Sequence, residues 1–302
     1  IKYSVLSLDN NEAVIPSAQK NNFKSIQKYP IIRYLVRNTL LFALLSIYFK
    51  DVRHSISILN KLKLKNAYTP DIIVFHDPIT YRVCKKFISK FDAKVILFHH
   101  GGNIEDNMLF DYYPILYKRS WVRSRIDMIS EQNLNMPDNI IFINSESYSN
   151  AKKKYKARKD KFILILNGIE DLQTGNSSEY RCSGKSVCNL ISIGTVNDRK
   201  NHILILKSLK RSKQKLKNNV HLTIAGDGPA LAQLMEYSNQ NGLNDYLTFL
   251  GNVEDVIPLL KKADIFIMSS NNEGLPISLL EALSFSLPII SSNISGAREC
   301  VC

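Results

Sequence analysis

The chain has 302 residues, 45% of them hydrophobic and 9% aromatic: about two domains' worth, with enough apolar material for real cores, which excludes a disordered, collagenous or coiled-coil protein. Lys+Arg 40 against Asp+Glu 27 leave a formal net charge of +13, spread along the chain with two concentrations. Between Glu12 and Asp51 six Lys or Arg occur without an acid, and Lys152 to Lys161 sets seven around the single Asp160, so either stretch could face an anionic partner. Cys84, Cys182, Cys188, Cys300 and Cys302 are odd in number, scattered and without a Cys-x-x-Cys pair. This fits a reducing compartment, and a cytoplasmic location is expected rather than a disulfide scaffold or a zinc site.

In chain order, Tyr3–Leu8 reads as a first strand. The most apolar window, Ile31 to Phe49, is interrupted by Arg33, Arg37 and Asn38, which leaves about a dozen uninterrupted apolar residues where a spanning helix wants roughly 20. Neither a transmembrane span nor a signal peptide is expected. Strands follow at Ile72–Phe75, Val95–Phe98, Ile140–Ile143 and Phe162–Leu166, with helical stretches such as Thr80–Phe91 and Tyr117–Gln132 between them. The polar, Gly- and Ser-rich run from Glu170 to Lys185 is the best linker. Beyond it the alternation restarts: Leu190–Ile193, His202–Ser212, His221–Ala225, Pro229–Asn239, Tyr246–Leu250, Val256–Lys262, Ile265–Met268, Pro276–Ser284 and Pro288–Ser291. Short apolar strands alternating with helices imply two successive doubly wound parallel sheets, whose ligands sit beyond the carboxyl ends of the strands. The expected organisation is residues 1–168, a linker at 169–186, and 187–302, with the two domains facing a cleft.

The most informative segment runs from Asp264 to Ala282. A buried strand ends near Met268, a polar loop carries Glu273, and Pro276 suits the first helical position, where its missing N–H costs nothing. The N–H groups of Gly274, Leu275 and Ile277 then form an anion site at a helix N-terminus. A carboxylate there would repel a lone phosphate but accept hydrogen bonds from the hydroxyls of an attached sugar. Glu281 could reach a second set of hydroxyls, such as a ribose. Spacing alone leaves the plainer alternative open, a loop carboxylate near a helix dipole and a solvated helix residue. A glycosidase pair, which needs two carboxyls about 5 to 9 Å apart across one bond, fits poorly with eight residues of loop and helix. Asp-x-Asp is missing from the chain, and Gly226-Asp227-Gly228 lacks the third glycine of a dinucleotide fingerprint. The run Lys152–Lys159 reads as a helix or helix end with a solvated cationic surface, and no nucleic-acid module accompanies it.

Glu273 and Glu281, separated by seven residues inside Glu-Gly-Leu-Pro-x-x-Leu-Leu-Glu-Ala, resemble the Glu-x7-Glu signature of family-4 glycosyltransferases, retaining enzymes of the two-domain GT-B fold. Ile193-Gly194 with Lys200-Asn201 resembles that family's phosphate-binding strand and loop, Ala225 to Pro229 its glycine turn, Phe249-Leu250-Gly251 its base-side strand, Asn167 to Glu170 the start of its C-terminal domain, and Ser291 to Glu299 the last loop of its donor site. The likeness is dense from about Asn139 to Glu299 and thin before, where His99-His100-Gly101 is the chief marker.

The resemblance implies roles. Glu273 would hold the transferred sugar, Glu281 the ribose, and Gly194, Thr195, Gly274, Leu275 and Pro276 would line the sugar diphosphate, with Lys200 and Arg199 neutralising it. The family has Arg directly after the glycine, where this chain has Thr195; Arg199, four residues on, is the candidate to replace that charge. His100 would lie near the acceptor and the reacting carbon, with His99 turned to the other side. The donor would be a UDP- or GDP-linked sugar, with no metal or other cofactor. The acceptor would be a glycan or lipid-linked saccharide in bacterial surface polysaccharide assembly, such as capsule, O-antigen or exopolysaccharide. The family's first strand and glycine-rich loop, and a βα unit after Glu299, are not found, so a chain truncated at both ends is expected. An inactive nucleotide-sugar-binding fragment, or a GT-B hydrolase or epimerase, is the alternative. A basic, acid-free stretch from Ser17 to Lys50 with Tyr, Ile, Leu and Phe interleaved suggests peripheral contact with an anionic membrane, set against a helix packed on the first sheet.

Overall fold

The computed structural model describes residues 70–76, 81, 84–85, 88–100, 118–135, 137–170, 187–216 and 219–301. The expected strand Tyr3–Leu8, the stretch Ser17–Lys50, Gly101 and most of the expected linker lie outside the described residues. Among those described, no helix is long and apolar enough to cross a membrane. The described chain divides into two compact units, one reaching to Phe142 and resuming at Tyr148–Leu164, the other made of Ile143–Ser147 and everything from Ile165 onward.

In the first unit β1 (Ile72–Phe75), β2 (Lys94–His99), β3 (Asn139–Phe142) and β4 (Phe162–Leu164) form a parallel sheet in that order. The expected Phe162–Leu166 strand is shorter by two residues. Its register with β3 pairs Leu164 with Phe142, where β3 ends, so Ile165 has no ladder to join. Helix α1 (Ser120–Asn135) lies between β2 and β3. Tyr81, Cys84 and Ile88, spaced three and four apart, are helical and buried, as one face of an amphipathic helix requires. They pack with Phe75, Leu97, Ile140, Phe142 and Phe162 in one core, where Phe75 and Tyr81 meet edge to face at 5.3 Å. Helix α2 (Ser145–Lys154) follows β3, and its last turn carries Lys152, Lys153 and Lys154. The remaining cations of the basic run sit in a 3-10 turn, Lys156–Lys161.

The second unit is a five-stranded parallel sheet in the order β7-β6-β5-β8-β9, built from β5 (Cys188–Ile193), β6 (Val220–Ala225), β7 (Leu247–Gly251), β8 (Ile265–Met268) and β9 (Ile289–Ser291). Apolar residues point both ways from its central strands. Ile191, Phe266 and Met268 pack under α5 (Ile257–Lys262), α6 (Ile277–Ser284) and α7 (Ser295–Val301). Leu190, Leu222, Ile224 and Ile267 belong to a second cluster with α3 (His202–Leu216) and α4 (Leu231–Gln240). Both faces are covered, which is why these strands read as nearly continuous apolar runs.

The strand order reverses between β5 and β8. From β5 the chain leaves toward β6, and from β8 toward β9, the topological switch point at whose strand carboxyl ends open α/β sheets bind their ligands. The candidate residues Gly194 to Lys200 follow β5, and Ser269 to Pro276 follow β8.

Candidate functional site

The loop after β5 is shaped by close backbone packing. The Gly194 N–H donates to the Ala225 carbonyl at 2.9 Å, and Val196 N–H to Asp227 at 3.0 Å. A side chain at Gly226, whose φ is +154°, would place its Cβ 1.9 Å from the Gly194 carbonyl oxygen. Only glycine fits there. With this turn fixed, the chain rises through Arg199 and Lys200 into α3, and Lys200 lies over Gly194 with its Cε and Nζ at 3.0 and 3.2 Å from where a Cβ would stand.

The loop after β8 is laced to this segment. Ser269 Oγ donates toward the carbonyls of Lys200 (3.0 Å) and Asn201 (2.9 Å). Asn271 N–H donates to the Arg199 carbonyl at 2.8 Å, and its Nδ2 to the Asp198 carbonyl at 3.2 Å. Asn201, held at φ +51°, adds a bond from its Nδ2 to Asn271 Oδ1. Asn201 belongs to the Lys200-Asn201 match, while Ser269 and Asn271 carry no motif of their own. Their signal is that a Ser-Ser-Asn-Asn run sits directly between a buried strand and Glu273, where side chains must satisfy backbone groups that neither helix nor sheet serves.

The result is a three-residue charge cluster. Glu273 is 8% exposed and Lys200 9%. Lys200 Nζ lies 2.9 Å from Glu273 Oε1, and Arg199 Nη1 lies 2.5 Å from Oε2. Ser270 Oγ donates to Oε1 at 2.9 Å, and Arg199 also donates to the Asn272 carbonyl at 3.0 Å. Burial pushes the Glu273 carboxyl up, but Lys200 and Arg199 together outweigh it and hold the carboxyl below its ordinary value. At neutral pH Glu273 is therefore ionised. It can accept hydrogen bonds and cannot serve as a proton donor.

Gly274, Leu275 and Pro276 continue from Glu273 and are buried. Pro276 is not the first helical residue as the sequence suggests. Its ψ of 114° is extended, so it caps α6, which begins at Ile277. Pro fixes only φ, and ψ decides on which side of the helix boundary it falls. The Leu275 carbonyl accepts from Asn167 Nδ2 at 3.2 Å. The Ser291–Glu299 loop is also revised: it is helical from Ser295 onward, in α7. A Cβ on Gly296 would stand 2.5 Å from the Gly274 carbonyl oxygen and 2.8 Å from that of Glu273, so α7 presses directly on the backbone of the site.

Glu281 is the fifth residue of α6, half-buried, and burial raises its carboxyl. Among the described residues no cation pairs with it. Thr195 is exposed beside Gly194. His100 belongs to the first unit, just past β2: it is exposed, whereas His99 is buried with its ring 5.2 Å from Phe142, as alternation along a strand demands. Burial, then the nearby His76, lower the His100 imidazole below its usual value. Among the described residues no group of three or more His, Cys, Asp or Glu could hold a metal ion.

This second unit, with its parallel sheet and charged switch point, corresponds to a known domain: residues 188–302 match the family described as Glycosyl transferases group 1. Relatives extend the likeness. A protein of Methanocaldococcus jannaschii, named Uncharacterized glycosyltransferase MJ1059, is 28% identical over 267 residues, covering 84% of this chain and 63% of that protein. A Campylobacter jejuni protein, named GalNAc-alpha-(1->4)-GalNAc-alpha-(1->3)-diNAcBac-PP-undecaprenol alpha-1,4-N-acetyl-D-galactosaminyltransferase, is 36% identical over 113 residues, covering 37% of this chain and 31% of that one. The chain thus spans less than two thirds of the length of each. The crystal structure of Anabaena HepE in complex with UDP-glucose matches 80% of this chain and 65% of its own, with a TM-score of 0.61 at 16% identity. That likeness establishes the fold: two parallel α/β sheets of the GT-B class.

Proposed function

We propose that the protein is a retaining glycosyltransferase that moves a hexose-type sugar from a UDP- or GDP-linked donor to a hydroxyl of a glycan or lipid-linked saccharide, in bacterial surface polysaccharide assembly. The observation that carries this reading is the cluster of buried Glu273 and Lys200 with exposed Arg199 at the switch point between β5 and β8. Two cations and one ionised carboxylate suit a sugar diphosphate: the diphosphate takes the cations, and the carboxylate turns to the sugar hydroxyls. As the bond to the sugar breaks, the leaving diphosphate gains negative charge, and Lys200 and Arg199 stabilise it where it develops. Arg199 supplies the charge that Thr195 cannot. Gly274, Leu275 and Pro276 line the diphosphate, Glu281 holds the ribose and His100 stands beside the acceptor. No metal ion is required in this reading, and the enzyme works on the cytoplasmic side, at the membrane surface. The name of the Campylobacter jejuni relative, which specifies a saccharide on undecaprenyl diphosphate, supports the lipid-linked acceptor.

Glu273→Gln tests it. Because contacts to the sugar count most when they tighten in the transition state, this variant should lower turnover at least tenfold while changing the donor's dissociation constant less. Wild-type turnover in the variant contradicts the assignment. Donor binding by the wild type without transfer, or release of free sugar without transfer, would instead mark a binding protein or a hydrolase.

A further inference from the structure

We propose that His76 is the positioning residue for His100: the two imidazoles share one N–H, so that the tautomer of one fixes that of the other. The inference rests on the reading of His100 as the residue beside the acceptor. His76 follows β1 and His100 follows β2, neighbouring parallel strands whose register pairs Phe75 with Leu97. His76 therefore comes level with Phe98, and His100, two residues on, shares the face of Phe98. The rings lie nearly parallel, His76 on Phe98 at 4.9 Å and 17°, and His76 beside His100 at 5.2 Å and 22°. His76 Nδ1 stands 2.9 Å from His100 Nε2.

At that distance one nitrogen must carry a hydrogen and the other must not. If His76 Nδ1 donates, His100 is protonated on Nδ1 and His76 bare on Nε2; if His100 Nε2 donates, both outer positions reverse. The pair therefore keeps one donor and one acceptor nitrogen at its outer positions, while both rings stay neutral. A lone histidine would sample both tautomers at each position. The pair cannot hold a second added proton without two N–H groups facing each other. Among the described residues, His76 is the titratable group that acts on His100. On the other side of β2, β3 pairs Ile141 with Phe98 and Phe142 with His99, and neither residue titrates.

The experiment compares wild type with His76→Phe, which keeps the stack on Phe98 but has no ring nitrogen, and His76→Asn, whose amide can donate to or accept from Nε2. Imidazole nitrogen NMR shifts read the His100 tautomer and titration directly, without any activity. A hydrogen-bonded His100 Nε2 is expected in wild type and His76→Asn, and a free Nε2 with a higher His100 pKa in His76→Phe. Sugar transfer should fall at least fivefold in His76→Phe with donor affinity unchanged, and recover in part in His76→Asn. Identical His100 tautomer and titration in wild type and His76→Phe overturn the pairing. Coupled rings with transfer lost in His100→Phe but unaffected in His76→Phe overturn the positioning role. Transfer indifferent to His100→Phe as well overturns the reading of His100 itself.

Discussion

At the scale of single residues, the two glutamates of the second unit sit in opposite electrostatic surroundings. Glu273 faces two cations and is held ionised; Glu281 is half-buried with no cation paired among the described residues, and its carboxyl is raised. A raised carboxylate is one whose charge lacks compensation, and neutral hydroxyl donors, such as those of a ribose, would supply hydrogen bonds to it. Glu281→Ala should accordingly weaken nucleotide binding by roughly 1–3 kcal/mol, the value of a hydrogen bond to a charged group in a closed site. Isothermal titration with UDP and with GDP checks this; unchanged affinity for both would remove Glu281 from the site. The pairing of Glu273 with Lys200 was not legible from spacing, since they are 73 residues apart and meet only because β5 and β8 are neighbours in the sheet. The resemblance of Glu-Gly-Leu-Pro to a known signature pointed to Glu273, and that of Ile193-Gly194 with Lys200-Asn201 to Lys200, but neither to the contact between them. His76 was missed altogether, because nothing local in the sequence links it to a histidine on the next strand.

At the scale of elements, the first turn of α3 carries a pH-sensitive buried group. His202 is 3% exposed, its Nδ1 has no hydrogen-bond partner among the described residues, and burial, then Lys200, lower its pKa to about 4. Between the ordinary value near 6.5 and about 4, the unfolded chain binds a proton that the folded one refuses. The stability tied to this group is therefore complete above about pH 6.5 and falls as pH drops toward 4, by on the order of 3 kcal/mol. Urea unfolding at pH 7 and pH 4.5 should show a larger loss for wild type than for His202→Gln, and equal losses would refute the assignment. Elements that the sequence made legible share a feature: an apolar strand or an amphipathic face. Ile72–Phe75 and Ile265–Met268 match the structure residue for residue. Helix α2 is different. Ser-Glu-Ser-Tyr-Ser-Asn-Ala-Lys-Lys-Lys has almost no apolar period, so only its cationic end read as helical; Ala151 is buried in the first unit's core, Ser145 Oγ–H and N–H meet Glu299, and Asn144 Oδ1 accepts from Ser147 N–H at 2.7 Å. Tertiary contacts complete what propensity leaves undecided.

At the scale of the whole molecule, a net charge of +13 favours anionic partners, both soluble nucleotides and membrane surfaces. The basic stretch Ser17–Lys50 lies outside the described residues, and its expected membrane contact rests on sequence alone. Near an anionic leaflet each Lys or Arg contributes about 1 kcal/mol, so the protein should co-sediment with anionic vesicles, release with salt, and bind less after Lys20, Lys24 and Lys28→Glu. Equal binding to neutral vesicles, or none, speaks for a helix packed on the first sheet.

The central claim is that the cluster at the β5–β8 switch point holds a diphosphate. Titrating UDP and uridine, and GDP and guanosine, into wild type and Lys200→Gln by calorimetry tests it most directly. One nucleoside diphosphate should bind at least tenfold more tightly than its nucleoside, and Lys200→Gln, confirmed as folded by its melting transition, should erase most of that difference. A folded Lys200→Gln that keeps the full preference, or a wild type that binds neither nucleoside diphosphate better than its nucleoside, would contradict the account.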